Sequence, residues 1–245
     1  SEGFAKFAGQ YGKWGFVDGK GTVVIEPAWD AVASFHEGMA VVTKMDRRRG
    51  QPKQGFIDKS GTTVVAPGDG VERMYSFNEG LAAYTAGNGW GFMDKNGETV
   101  IEPDDDRSKV SSFVGGHAAV LEHGSWSVID KKGNRVFRSE SSRAPFFVNG
   151  LAAVHYPGDG YGFIDIRGDE VIAPEFEEVG MPFMGTCAIV REGTSFTFIG
   201  RKGESCGDVE MKEIDMALSP NLFFRGTTYY DPDAWAVLTD GPYRP

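Results

Sequence analysis

Short apolar runs separated by glycine-rich turns follow one another along the whole chain. A run with small side chains, such as Gly80-Leu81-Ala82, is followed by an aromatic-Gly-aromatic run, such as Trp90-Gly91-Phe92. A third run, such as Val100-Ile101-Glu102-Pro103, comes next. Short runs rich in β-branched and aromatic residues are typical of strands rather than helices. The pattern therefore predicts small β-meanders of three strands, with a fourth strand or a loop after the proline.

The connection between the second and third predicted strands has one recurring form, with Asp first and Gly fourth. It occurs at Asp18–Gly21, Asp58–Gly61, Asp94–Gly97, Asp130–Gly133 and Asp165–Gly168. Asp favours the first position of a type I turn, and Gly accepts the left-handed conformation that follows. The spacing predicts a hairpin turn with a bulge in each unit.

The three runs recur in one phase, about every 35 residues, which indicates internal repeats. The second run begins at Trp14, Gln54, Trp90, Trp126, Tyr161 and Phe196. We predict six copies and a partial seventh in one repeat domain, with approximate bounds 3–37, 38–79, 80–115, 116–149, 150–184, 185–225 and 226–245. The long second copy contains an insertion, Asp46–Lys53. The seventh copy is the weakest alignment and rests on Phe224-Arg225-Gly226 and Trp235.

Apolar residues lie on both faces of the predicted strands, which favours sheets packed between neighbouring repeats. We expect the Gly after each Trp to make room for aromatic rings of the adjacent sheet. A β-propeller of six to seven blades is favoured over the alternative, an open β-superhelix. The segment Glu210–Leu218 is the one plausible short helix.

Composition narrows the function. The net charge of −10 argues against a nucleic-acid partner, and no apolar run is long enough for a membrane-spanning helix. Cys187 and Cys206 are interpreted as two buried thiols in preference to a disulfide, which is expected only in an exported protein. A cytoplasmic and an exported location both remain open, as does the oligomeric state.

The strings Lys13-Trp14-Gly15-Phe16-Val17-Asp18, Trp90-Gly91-Phe92-Met93-Asp94 and Phe77-Asn78-Glu79-Gly80-Leu81-Ala82 resemble the bacterial WG (or KWG) repeat family. The resemblance extends over essentially the whole chain. Departures are Gln54 for Trp, Ser127 and Thr197 for Gly, and Gly200 for the turn Asp. The resemblance implies an all-β protein that mediates interactions, and it supplies no catalytic residues.

Most recurring residues have a structural explanation. The turn aspartates belong to the turns, and Trp14, Trp90 and Trp126 are interpreted as core between repeats. We interpret Asp104–Asp106 and Asp231–Asp233 as solvated loops. The histidines His36, His117, His123 and His155 lack the spacing of a metal site. We therefore predict no catalytic residues, no metal and no cofactor.

Residues outside the repeat pattern are the candidates for partner binding. Arg47, Arg48, Arg49 and Lys53 form a basic insertion in an acidic chain, which suits an acidic or phosphate-bearing partner. Trp29 and Trp235 lie at the edge of the pattern and are the candidate aromatic contacts. The favoured function is a non-catalytic scaffold for a protein partner. A module that binds glycan or another cell-envelope polymer is the alternative, and a propeller hydrolase with a composite axial site is a second one.

Overall fold

The fold consists of small antiparallel sheets that follow one another along the chain. It is described by a computed structural model, which covers residues 2–68, 70–87, 89–139, 144–183, 185–206 and 211–212. These residues form 23 strands in six sheets, one of three strands and five of four. A 3-10 turn, Gln10–Gly12, is the one helical element among them. The predicted all-β repeat fold is confirmed.

Each sheet is a meander, because its strands are paired in chain order. The first three sheets contain β1 (Phe4–Ala8), β2 (Trp14–Asp18) and β3 (Val23–Trp29); β4 (Ala31–Val32), β5 (Met39–Met45), β6 (Pro52–Asp58) and β7 (Thr63–Val65); and β8 (Arg73–Met74), β9 (Leu81–Ala86), β10 (Gly89–Asp94) and β11 (Thr99–Asp104). The other three contain β12 (Arg107–Val110), β13 (His117–Glu122), β14 (Ser125–Asp130) and β15 (Arg135–Arg138); β16 (Phe146–Val148), β17 (Leu151–Tyr156), β18 (Gly160–Asp165) and β19 (Glu170–Phe176); and β20 (Glu178–Met181), β21 (Cys187–Glu192), β22 (Ser195–Gly200) and β23 (Met211–Lys212). From the second sheet on, the first strand is one that the sequence assigns to the end of the preceding copy.

The described residues divide into two compact units, which fall within residues 1–116 with 131–133 and within residues 117–130 with 134–245. In the first unit, buried side chains cluster around Phe16 and Phe35 and around Phe56 and Phe77. In the second unit, the clusters centre on Phe163 with Phe183 and on Phe147 with Val154.

The turn aspartates have the predicted role. The Asp18 carboxylate accepts hydrogen bonds from the Lys20 and Thr22 amides, both at 2.8 Å. Gly21 adopts a φ of 83°, in the left-handed region that favours glycine. Corresponding bonds are made by Asp58, Asp94 and Asp165.

The glycine that follows the tryptophan has a different purpose from the one predicted. A Cβ on Gly91 would lie 2.6 Å from the Ile101 carbonyl oxygen and 2.8 Å from the Pro103 nitrogen. The glycine therefore makes room for the backbone of its own sheet, not for aromatic rings of the next one. Gly15, Gly55 and Gly162 are crowded by the backbone of their outer strands in the same way.

That backbone approaches closely because the outer strand is bulged. Trp14 pairs with Trp29 and Phe16 pairs with Ile25, so β3 has extra residues between the two pairs. Proline is tolerated at such a bulge, where the ladder is interrupted. The strand consequently continues through Pro27 to Trp29, and the expectation that the proline ends it is wrong here.

The turn glycines also connect successive repeats. A Cβ on Gly97 would lie 2.5 Å from the Val65 side chain, and one on Gly168 would lie 2.7 Å from the Phe137 ring. Gly61, Gly133 and Gly203 approach Ile25, Ile101 and Ile172 in the same way. Each of these turns packs on an apolar residue of the preceding outer strand.

Two expectations for the sixth repeat are corrected. Cys187 and Cys206 form a disulfide with a Cα–Cα distance of 6.3 Å, so they are not free thiols. Met211–Lys212, within the predicted helix 210–218, is a strand paired with Ser195 and Phe196. The rest of that segment and the predicted seventh copy lie outside the described residues.

Candidate functional site

The basic insertion forms the end of an extended hairpin. Its strands β5 and β6 have seven residues each, and Met45 pairs with Pro52 at the last rung. The connecting turn carries Arg47, Arg48 and Arg49, all of which are exposed. We call Met45–Lys53 the basic hairpin.

Asp46 determines the conformation of this turn. Its carboxylate accepts hydrogen bonds from the amides of Arg48, at 2.8 Å, and Arg49, at 3.3 Å, and it forms an ion pair with Lys53 at 3.3 Å. The Arg48 amide, aided by Lys53 and the Arg49 amide, outweighs desolvation and lowers the pKa of Asp46. The acid thus binds groups of its own hairpin, and Arg47, Arg48 and Arg49 are all exposed.

Asp30 connects the base of the hairpin to the first sheet. Its carboxylate pairs with Lys13 at 2.5 Å and accepts the Met45 amide at 2.9 Å. These two groups, and the charge of Arg47, lower the pKa of Asp30. Lys44 lies over the Trp29 ring at 5.0 Å from its centroid, a cation–π geometry.

The predicted contact residues have different environments. The three arginines are exposed, but Lys53 is half-buried against Asp46. Trp29 is 7% exposed and belongs to the core, because its pairing with Trp14 turns the ring inward. Its ring therefore offers no open face to a ligand. Trp235 lies outside the described residues.

The other acidic residues of the described ranges form no recognisable metal site. Asp104 accepts the Asp106 amide at 3.0 Å and faces Arg107 at 3.8 Å, in the turn between β11 and β12. The groove beside this turn, of about 580 Å³, is lined by both acidic and basic side chains, including Lys132. Over the described residues, no group of three or more His, Cys, Asp or Glu side chains has the geometry to hold a metal ion.

A second polar constellation, which sequence analysis missed, joins successive repeats of the first unit. The Glu37 carboxylate accepts hydrogen bonds from the amides of Glu79, at 2.5 Å, and Gly80, at 2.8 Å, and it pairs with Lys95 at 3.1 Å. The Glu79 carboxylate repeats this pattern with the amides of Gly115 and Gly116 and with Lys131. Glu2 begins the series with the Gly38 amide and Lys59. We call this series the carboxylate ladder.

The signal for the ladder is present in the sequence. Each glutamate precedes the glycine of the first run, and each lysine follows the turn aspartate of the next copy. Where the glutamate is replaced by Gly115, the corresponding lysine is replaced by Ile166. The carboxylate ladder therefore ends where the glutamate and its lysine partner are both replaced.

Nearby charges and hydrogen bonds lower the pKa values of these carboxylates. For Glu37 and Glu79, burial raises the pKa, but the paired amides and a lysine outweigh it, and the pKa lies below its ordinary value of 4.5. A lowered pKa means that the folded state favours the ionised form. The resulting stability is present above about pH 4.5 and is lost as the pH falls through the lowered value.

We expect the Glu79→Gln variant to be less stable than the wild type at pH 7 by about 1 kcal/mol, since the partly exposed ion pair with Lys131 and one charged hydrogen bond are lost. The difference should shrink below about pH 4, where the wild-type carboxylate becomes protonated. Urea unfolding at several pH values measures both effects. Glu26→Gln, which removes an exposed carboxylate outside the ladder, is the control. An equal, pH-independent loss in both variants would contradict this account.

A profile for the WG containing repeat matches residues 14–46, 55–89, 90–126 and 161–193, more than half of the chain. These segments contain the bulge glycines and the turn aspartates described above. The chain belongs to the WG-repeat family. The WG repeats matched include the copy with the basic hairpin, whose turn falls between the first two matched segments. No curated protein matches the sequence.

Several solved structures are similar to this WG-repeat chain. A structure described as the eukaryotic initiation factor is similar at a TM-score of 0.57 and 9% identity, over 86% of this chain and 63% of that one. Hsv2 of Kluyvelomyces marxianus has a TM-score of 0.45 at 9% identity, over 72% and 59% of the two chains. BamB of Moraxella catarrhalis has a TM-score of 0.39 at 13% identity, over 75% and 64%. The first of these similarities, with a TM-score above 0.5, supports the propeller-type class of repeated antiparallel sheets, and the chain spans about three fifths of the length of the three structures.

In the described ranges, no helix is long and apolar enough to cross a membrane.

Proposed function

We propose that this chain is a non-catalytic scaffold that binds a protein partner through the basic hairpin. The observation that carries the proposal is the exposure of Arg47, Arg48 and Arg49 on a hairpin whose own acid, Asp46, is held by its turn. The rest of the hairpin is anchored by Asp30, so the arginines are presented from a defined position.

Charge complementarity supports an acidic partner. The chain as a whole has a net charge of −10, so an anionic surface is repelled by most of it. The hairpin is a local exception, and Met45, its first residue, is 44% exposed and offers an apolar contact. Exposed basic side chains and an exposed apolar side chain on one hairpin suit a protein segment that is acidic and contains an apolar anchor.

The test begins with a photo-crosslinking amino acid at Arg48, to identify the partner in the native host. The purified partner is then titrated against the wild type and an Arg47/Arg48/Arg49→Ala variant. We expect the triple variant to weaken binding by about tenfold or more at low salt, and by less at high salt, because screening removes the electrostatic contribution.

The control is a Lys6/Lys20/Arg135→Ala variant, which changes the net charge equally at exposed sites elsewhere. It should retain nearly all of the affinity. Equal weakening in the two triple variants would show that net charge, not the hairpin, determines binding, and unchanged affinity in the arginine variant would refute the proposal.

A further inference from the structure

One turn in the second unit has the conformation of the ladder turns, but no carboxylate of the described residues binds to it. In the ladder, Glu79 and Gly80 have φ values of 51° and 86°, and their two amides point at one carboxylate. Asn149 and Gly150 have φ values of 51° and 81°. Successive amides in such a turn form a concave donor pair that suits an anion.

The sequence has neither the glutamate nor the lysine that bind to the ladder turns at the positions corresponding to this turn. The residue at the glutamate position one copy earlier is Gly115, and the residue at the lysine position is Ile166. Asn149 and Gly150 are both exposed, whereas Glu79 and Gly80 are half-buried. Among the described residues, the Asn149 and Gly150 amides have no acceptor.

The turn is nevertheless held in place by its other polar groups. The Asn149 side-chain amide donates to the Phe183 carbonyl oxygen at 2.8 Å, and Arg201 donates to the Asn149 carbonyl oxygen at 2.8 Å. Lys131 makes the corresponding bond to the Glu79 carbonyl oxygen, at 2.9 Å. The donor pair is therefore pre-organised, and a guanidinium beside it adds positive potential.

We propose that the Asn149 and Gly150 amides form a binding site for a carboxylate supplied by a ligand or partner. The expected geometry is the one that Glu79 shows internally, with one oxygen on each amide at 2.6 and 2.8 Å. An acidic side chain and a chain-terminal carboxylate offer the same group. This site is on the second unit and is independent of the basic hairpin.

Amide chemical shifts of the full chain test the site directly. Titration with acetate should give saturable shifts at Asn149 and Gly150, and acetamide, which has the same shape without the charge, should give none. The Glu79 and Gly80 amides should not respond in the wild type, because Glu37 occupies them. In a Glu37→Ala variant they should respond to acetate, which serves as a positive control for the method.

Two capped peptides then separate the sources of the carboxylate. Both have an acetylated N-terminus. One has a free C-terminus and no acidic side chain, and the other has a single Glu and an amidated C-terminus. The peptide that causes the larger shifts at Asn149 and Gly150 identifies the preferred source. Asn149→Asp, nearly isosteric, should weaken acetate binding at least about fivefold, because it places a like charge beside the donor pair and also loses the hydrogen bond to the Phe183 carbonyl oxygen. Absence of shifts at Asn149 and Gly150 while the Glu37→Ala control responds would overturn the proposal, as would equal responses to acetate and acetamide.

Discussion

The Gly91→Ala variant should lose about 3 kcal/mol of stability, a large effect for a single added methyl group. The added carbon would lie 2.6 Å from the Ile101 carbonyl oxygen and 2.8 Å from the Pro103 nitrogen. Both are backbone atoms of the neighbouring strand, so no side chain can move aside to accommodate it. The added methyl group can be accommodated only if β11 separates from β10, which breaks some of the backbone hydrogen bonds between these two strands.

Chemical denaturation of the variant and the wild type measures this loss. Gly19→Ala is the matched control, because a Cβ there meets nothing within 4 Å and the residue does not have a positive φ. We expect it to be neutral or slightly stabilising, since alanine lowers the entropy of the unfolded chain. If Gly91→Ala unfolds at the same denaturant concentration as Gly19→Ala, the close approach of the strands does not restrict the glycine.

The fourth sheet explains why glycine can be absent from one repeat. Ser127 pairs with Arg138 and Val128 pairs with Phe137, without an extra residue between the pairs. The outer strand is not bulged at this point, so the backbone does not crowd the Ser127 side chain. The same repeat also lacks the Ile-Glu-Pro string. The glycine and the proline of a WG repeat therefore occur together, because both belong to the bulged pairing of the second and third strands.

Local chemistry is what the sequence predicts well. The Asp-x-x-Gly turns follow from the preferences of two residues within four positions, and the structure has them as expected. The strands follow from short β-branched and aromatic runs. Both depend on neighbours in the chain, for which propensity and turn rules are sufficient.

Contacts between distant residues are what sequence analysis missed. Gly91 is restricted by Pro103 on another strand, and Glu37 reaches an amide pair and a lysine in later repeats. Trp29 follows a proline, and its sequence position suggests a loop. Because β3 is bulged, however, Trp29 is again paired with β2, opposite Trp14. Aligning the copies shows that these residues recur together, but only the three-dimensional arrangement shows which atoms meet.

The disulfide contradicts the prediction of free thiols for the same reason. Cys187 begins β21, and Cys206 follows the turn after β22, where its amide donates to the Phe198 carbonyl oxygen at 2.8 Å. The two residues are 19 positions apart in sequence, and the β21–β22 hairpin folds them together. Nothing in the apolar residues around Cys187 indicates this proximity.

Replacement of both cysteines by serine should therefore lower the stability of the chain by about 3 kcal/mol, the expected effect of opening a closed loop of roughly 20 residues. The cross-link restricts the unfolded chain, and its loss gives the unfolded state more freedom. Denaturation of the Cys187→Ser/Cys206→Ser variant measures the loss. Treatment of the wild type with a reductant should reproduce it, whereas the variant should not respond to reductant. Two thiols titratable in the native, untreated protein, or equal stability with and without reductant, would show that the bond does not hold the sixth sheet together.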